Sequence, residues 1–85
     1  MTQEENEFDA VVETLKDLES KWPSSLVPRE RISEFTGGLI NPRTMANLDS
    51  MGQGPAKRMR IGRKVVYSVD SVLDWIKNRT ESLQD

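Results

Sequence analysis

The sequence predicts a mainly α fold with one small two-stranded β-hairpin, in the order helix, helix, helix, hairpin, helix. Three observations predict it. Apolar residues recur at steps of three or four in separate segments. A short alternating stretch around Gly62 reads as two strands and a turn. Proline and glycine fall at the joints between these segments.

Residues 5–22 form the first predicted helix, with Phe8, Val11, Val12, Leu15, Leu18 and Trp22 on one stripe. Its early acids suit the positive end of the helix dipole, and Pro23 stops it. A second helix is expected from Pro28, with Ile32 and Phe35 on its apolar face and Val27 beside them. Gly37 and Gly38 end it, because glycine enters the left-handed region without steric cost. Asn41 caps a third helix that opens on Pro42 and closes at Gly52, with Met45, Leu48 and Met51 on its buried side. Met45, Met51 and Met59 read as core filler.

The hairpin alternates Met59, Ile61, Val65 and Tyr67 with Arg58, Arg60, Lys64 and Val66, and turns at Gly62-Arg63. Two strands alone are unstable, so the pair has to lean on the helices. A last helix spans about Ser71 to Arg79, with Asp70 as its cap and Val72, Trp75 and Ile76 as its apolar face. Trp22 and Trp75 lie on apolar stripes and read as core.

Composition narrows the function. At 85 residues the chain is one domain at most and buries about 60–65% of its unfolded surface. No apolar run approaches the roughly 20 residues of a membrane helix. The opening is acidic where a signal peptide would be basic, so a soluble cytoplasmic protein without membrane contact is expected. The chain has no cysteine and no histidine, which removes disulfides, zinc sites built on those residues and thiol nucleophiles. No spacing of the remaining carboxylates, serines and lysines suggests catalysis. The reading is therefore a non-enzymatic protein with no cofactor and no metal.

The net charge of −2 is unevenly spread. Residues 1–20 carry seven acids and one base, whereas residues 21–79 carry eleven bases and five acids. Between Ser50 and Val69 there is no acid but five bases: Lys57, Arg58, Arg60, Arg63 and Lys64. A short hairpin cannot bury five charges, so they are expected to project into solvent together and attract phosphates. Two short helices joined through glycines form a helix-turn-helix pattern, whose second helix would be the reader. Its exposed face carries Arg43, Thr44 and Asn47, opposite Met45 and Leu48. Arginine can pair with guanine and asparagine with adenine in the major groove, and Thr44 can meet a phosphate or a thymine methyl. The bland alternatives are an ordinary helix surface and a hairpin kept charged against edge pairing.

From Ser25 to Ile76 the chain resembles the helix-turn-helix modules of the MerR-type superfamily, in the small excisionase-like branch of phages and mobile elements. The matching stretches are Val27-Pro28-Arg29-Glu30, Thr36-Gly37-Gly38, Asn41-Pro42-Arg43-Thr44-Met45 and Gly52-Gln53-Gly54-Pro55. The hairpin from Arg60 to Tyr67 and the closing Val72-Leu73-Asp74-Trp75-Ile76 complete the order. The resemblance implies a winged helix-turn-helix; the N-terminal amphipathic helix that precedes it in the predicted fold lies outside the shared module. It implies sequence-specific binding of double-stranded DNA, as a small transcriptional regulator or a recombination factor. Carried over by position, Arg43, Thr44 and Asn47 are groove contacts, and Arg58, Arg60, Arg63 and Lys64 contact DNA from the wing. Only Arg43 is basic on the reading helix, and Asp49 is acidic. Full MerR-type regulators add a long dimerisation helix and an effector domain, so small-molecule sensing is not expected.

The organisation expected is an acidic helix over 1–24, the module over 25–79 and a tail over 80–85. Three readings of the acidic helix stand: packing on the module, pairing with its twin in a homodimer, and lying near the basic hairpin. A recombinase or regulator protein is a further expected partner. The alternative function is a protein-interaction adaptor on the same helical frame.

Overall fold

The computed structural model describes residues 3–80, with side chains from Ala10 onward. The order is α1 (Gln3–Lys21), β1 (Leu26–Pro28), a 3-10 turn (Arg29–Arg31), α2 (Ile32–Phe35), α3 (Pro42–Ser50), β2 (Arg58–Ile61), β3 (Lys64–Ser68) and α4 (Val69–Asn78). Among the described residues the fold is mostly helical, with four helices and one three-stranded antiparallel sheet in the order β1-β3-β2. The expected side chain of Phe8, the acids Glu4, Glu5, Glu7 and Asp9, and residues 81–85 lie outside the described part.

The core gathers one face of the sheet and the inner sides of the helices. Val27, Ile32, Phe35, Met45, Tyr67, Val69, Val72, Trp75 and Ile76 form one buried cluster. Leu15, Leu18 and Trp22 of the first segment pack against it, and α1 rests on α4. The Trp22 ring meets Phe35 edge-on with centroids 5.3 Å apart, and its indole N–H donates to the Leu26 carbonyl at 2.9 Å. Both tryptophans thus serve the core through their rings while their N–H groups find carbonyls; Trp75 donates to Gln53 at 2.7 Å.

The segment around Pro28 departs from expectation. Instead of opening a helix, Pro28 ends a strand: Leu26, Val27 and Pro28 pair with Ser68, Tyr67 and Val66. The predicted second helix shrinks to the 3-10 turn and the single turn of α2. The reason is pairing. Proline tolerates a sheet edge, and β3 has a free edge for Val27, which is fully buried there. The predicted hairpin of β2 and β3 is present, with Gly62 at φ 63° in its turn, but it leans on a third strand as well as on helices.

Helix ends follow local chemistry. Asn41 accepts from the Thr44 N–H at 2.8 Å, with Pro42 in the first turn. At the other end Gly52, at φ 71°, donates to the Asp49 carbonyl while the Gln53 N–H reaches back to the Leu48 carbonyl at 2.8 Å, a Schellman closure. For α4 the cap is Ser68 and not Asp70: the Ser68 hydroxyl accepts from the Ser71 N–H at 3.1 Å. The last strand residue caps the helix directly, so the helix starts two residues before the expected Ser71 and Asp70 falls inside the first turn.

The methionines divide. Met45 is fully buried, as expected, whereas Met51 is 59% and Met59 43% exposed. Met51 lies beyond the last turn of α3, and Met59 sits on β2, all of whose residues are exposed.

Candidate nucleic-acid interface

The sequence-predicted contacts start on α3. Arg43, Thr44 and Asn47 are exposed, and their spacing of three and four places them on one stripe, away from buried Met45 and Asp49. Arg43 has no ion pair or side-chain hydrogen bond among the described residues.

The hairpin supplies the second half. Cross-strand neighbours share a face, and the register pairs Arg58 with Tyr67 and Arg60 with Val65. Tyr67 points at α3, donating its hydroxyl hydrogen to Asp49. Arg58 and Arg60 therefore project from the face of the sheet on which Tyr67 reaches Asp49, while Met59 and Ile61 project from the other. At the turn, Arg63 and Lys64 border an open groove with Pro42, Arg29 and Glu30, so the hairpin tip adjoins the start of α3. Arg60 and Arg63 are exposed and, among the described residues, unpaired.

Three of the five hairpin bases depart from the expected common projection. Lys64 donates to the Glu30 carboxylate at 2.5 Å, although both side chains remain more than half exposed. Lys57 borders a different groove, beside Ser71, Asp74 and Trp75, because its backbone N–H is tied to the Ser71 hydroxyl at 2.8 Å. Arg58 turns back onto α3: its guanidinium lies 3.3 Å from Asp49 Oδ1 and donates to the Asp49 carbonyl at 3.0 Å.

Asp49 organises this corner. It is 4% exposed, so the acid on α3 does not face outward. Its Oδ2 accepts from Arg29 Nη2 at 2.7 Å and from the Tyr67 hydroxyl at 2.5 Å. Arg29 Nε in turn donates to the Tyr67 oxygen at 2.9 Å, closing a triangle between the 3-10 turn, α3 and β3. Burial, reinforced by the hydrogen bond to Asp49, pushes the Tyr67 hydroxyl up to about 12. The hydrogen bond to Tyr67 and then the one to Asp49 hold Arg29 above its ordinary range, against the opposing effect of burial. Asp49 Oδ1 is buried and accepts no hydrogen bond among the described residues, leaving Arg58 as its charge partner. Gly54 presses on the same oxygen: a Cβ there would stand 1.9 Å from Oδ1.

The sequence reading missed Asp49, Tyr67, Arg29 and Gly54 as a unit. One signal was present. Asp49 falls four residues after Met45, on the apolar side of α3, where an acid needs partners. The partners themselves lie 20 and 18 residues away, beyond the reach of local patterning.

Among the described residues no acidic group suits a metal, and no helix is long and apolar enough to cross a membrane. No known protein family, curated protein or solved structure matches this chain.

Proposed function

We propose that the protein binds double-stranded DNA as a winged helix-turn-helix, with α2 and α3 as the helix pair and β2–β3 as the wing. The observation that carries this reading is the shared surface of α3 and the hairpin. Arg43, Arg60 and Arg63 are exposed and unpaired among the described residues; Arg43 lies on the polar stripe of Thr44 and Asn47, and Arg63 borders the groove that the hairpin tip shares with Pro42 at the start of α3. In this reading Arg43 and Asn47 face base edges, and Thr44 meets a phosphate or a thymine methyl. Arg60 and Arg63 neutralise phosphates. Lys64 joins them by exchanging Glu30 for a phosphate, which an exposed surface pair permits at little cost. A small transcriptional regulator or an excisionase-like recombination factor would use such a surface.

Fluorescence anisotropy with a labelled mixed-sequence duplex, at low and near-physiological salt, tests the reading. Binding should weaken steeply with salt, and Arg60→Ala should weaken it on every sequence. Arg43→Ala and Asn47→Ala should change preference among sequences. A folded protein with no affinity for the duplex at low salt sinks the proposal.

A second reading, a protein-interaction adaptor, is favoured by a separate observation. Leu39, Met51, Met59 and Ile61 are large, apolar and exposed, Leu39 by 70% and Ile61 by 54%. Failure to bind DNA together with concentration-dependent self-association or capture of a purified partner would favour it.

A further inference from the structure

We infer that Arg58 is a positioning residue that fixes the hairpin on α3, and not one of the DNA contacts. Arg58 belongs to the same run of bases as Arg60 and Arg63, and by sequence the three are equivalent. The structure separates them by their partners. Arg58 faces a carboxylate that is nearly sealed from water and whose Oδ1 has no hydrogen-bond donor among the described residues. Withdrawing Arg58 toward a phosphate would take its ion pair from that buried oxygen and leave the carboxylate with Arg29 as the remaining cation, which is costly. Lys64 faces no such barrier, because Glu30 is solvated.

The position of this contact gives it a mechanical role. Arg58 is the first residue of β2, an outer strand of the sheet, and among the described residues β2 pairs only with β3. Asp49 lies in the last turn of α3. The Arg58 guanidinium holds both the carboxylate and the backbone carbonyl of Asp49, so it grips the helix at two points. Arg29 and Tyr67 fasten the same carboxylate to the 3-10 turn and β3. The outer strand is thus tied to α3 by Arg58, and the angle between reading helix and hairpin depends on it. The second measurement below rests on the DNA-binding reading; the first does not.

The test compares Arg58→Ala with Arg60→Ala and Arg63→Ala in the full chain, after circular dichroism shows each to be folded. The first measurement is amide hydrogen exchange without DNA. Arg58→Ala should speed exchange of the amides pairing β2 with β3 by on the order of tenfold, the size of one lost charge-assisted bond. The other two variants should leave that exchange unchanged. The second is the salt dependence of binding to a mixed-sequence duplex. Arg60→Ala and Arg63→Ala should each lower the logarithmic slope by about 0.9, and Arg58→Ala should not. Faster exchange with an unaltered slope supports the assignment. Unchanged exchange in Arg58→Ala overturns it, as does a fall in slope equal to that of Arg60→Ala. If the wild-type chain binds no DNA, the proposed function fails and the exchange measurement alone decides the role of Arg58.

Discussion

Gly54 and Tyr67 show how narrowly the Asp49 corner is defined. Gly54 has no steric freedom to gain a side chain, since a Cβ would sit 1.9 Å from Asp49 Oδ1 and 3.0 Å from its Cγ. A flexible carboxylate could swing away. This one is held by Arg29 and Tyr67, so the clash has to be relieved by moving the loop or breaking those bonds. Gly54→Ala is therefore expected to destabilise the fold by about 1–3 kcal/mol, read from urea unfolding. Tyr67 makes a pH prediction. Its hydroxyl rises from 10.0 to about 12 on folding, so the native state keeps a proton that the unfolded chain has already released. The associated stability, on the order of 3 kcal/mol, is present in full below pH about 10 and disappears as pH climbs toward about 12. Tyr67 is the single tyrosine of the chain, so phenolate absorbance reports it without overlap. A titration midpoint near the ordinary value in the folded protein would contradict the buried hydrogen-bonded geometry.

At the scale of the element, short helices depend on their ends. α3 has nine residues and α4 ten, too few to be stable in isolation. Caps and one buried face hold them. Because Ser68 accepts from the Ser71 N–H, Ser68→Ala should cost about 1 kcal/mol of thermal or urea stability. Asp70→Ala should cost less, since Asp70 acts there only through its charge near the helix start. Equal losses for the two variants would restore Asp70 as the cap. The loop between α2 and α3 is organised in the same way. The buried Thr36 hydroxyl donates to the Ile32 carbonyl at 2.8 Å and accepts from the Ile40 N–H at 3.2 Å, which sets the path from one helix to the next.

Across the whole molecule, the end of the acidic helix and the outer strand of the basic hairpin lie toward opposite edges of the sheet. Trp22, the residue after α1, meets β1 at Leu26, while β2 is the opposite edge. Leu15 and Leu18 extend the core that a short chain struggles to build. Removal of residues 1–21 should therefore lower unfolding free energy by on the order of 3 kcal/mol, the worth of two partly buried leucines and the helix they anchor. Urea denaturation of the truncated and full chains measures it, and an unchanged midpoint would show that α1 contributes nothing to the core.

The sequence by itself determined the pieces whose causes are local. The apolar period from Leu15 to Trp22 and that of α4, the Asn41 cap with Pro42, the Gly52 closure and the Gly62 turn are each set within a few residues, and each is present in the structure. The exposure of Arg43, Thr44 and Asn47 was legible too, because helical spacing separates them from Met45. Tertiary structure alone decided the rest. Whether Pro28 opens a helix or closes a strand depends on the free edge of β3, some 40 residues downstream, which pairs with Val27. Charges behave alike. Five bases between Ser50 and Val69 look equivalent along the chain, and only the folded positions of Asp49, Glu30 and Ser71 sort them into a strut, a solvated pair, a displaced lysine and two arginines unpaired among the described residues. A carboxylate exerts its pull over a few ångströms of space, and no local pattern records which distant residue the fold will bring within that range.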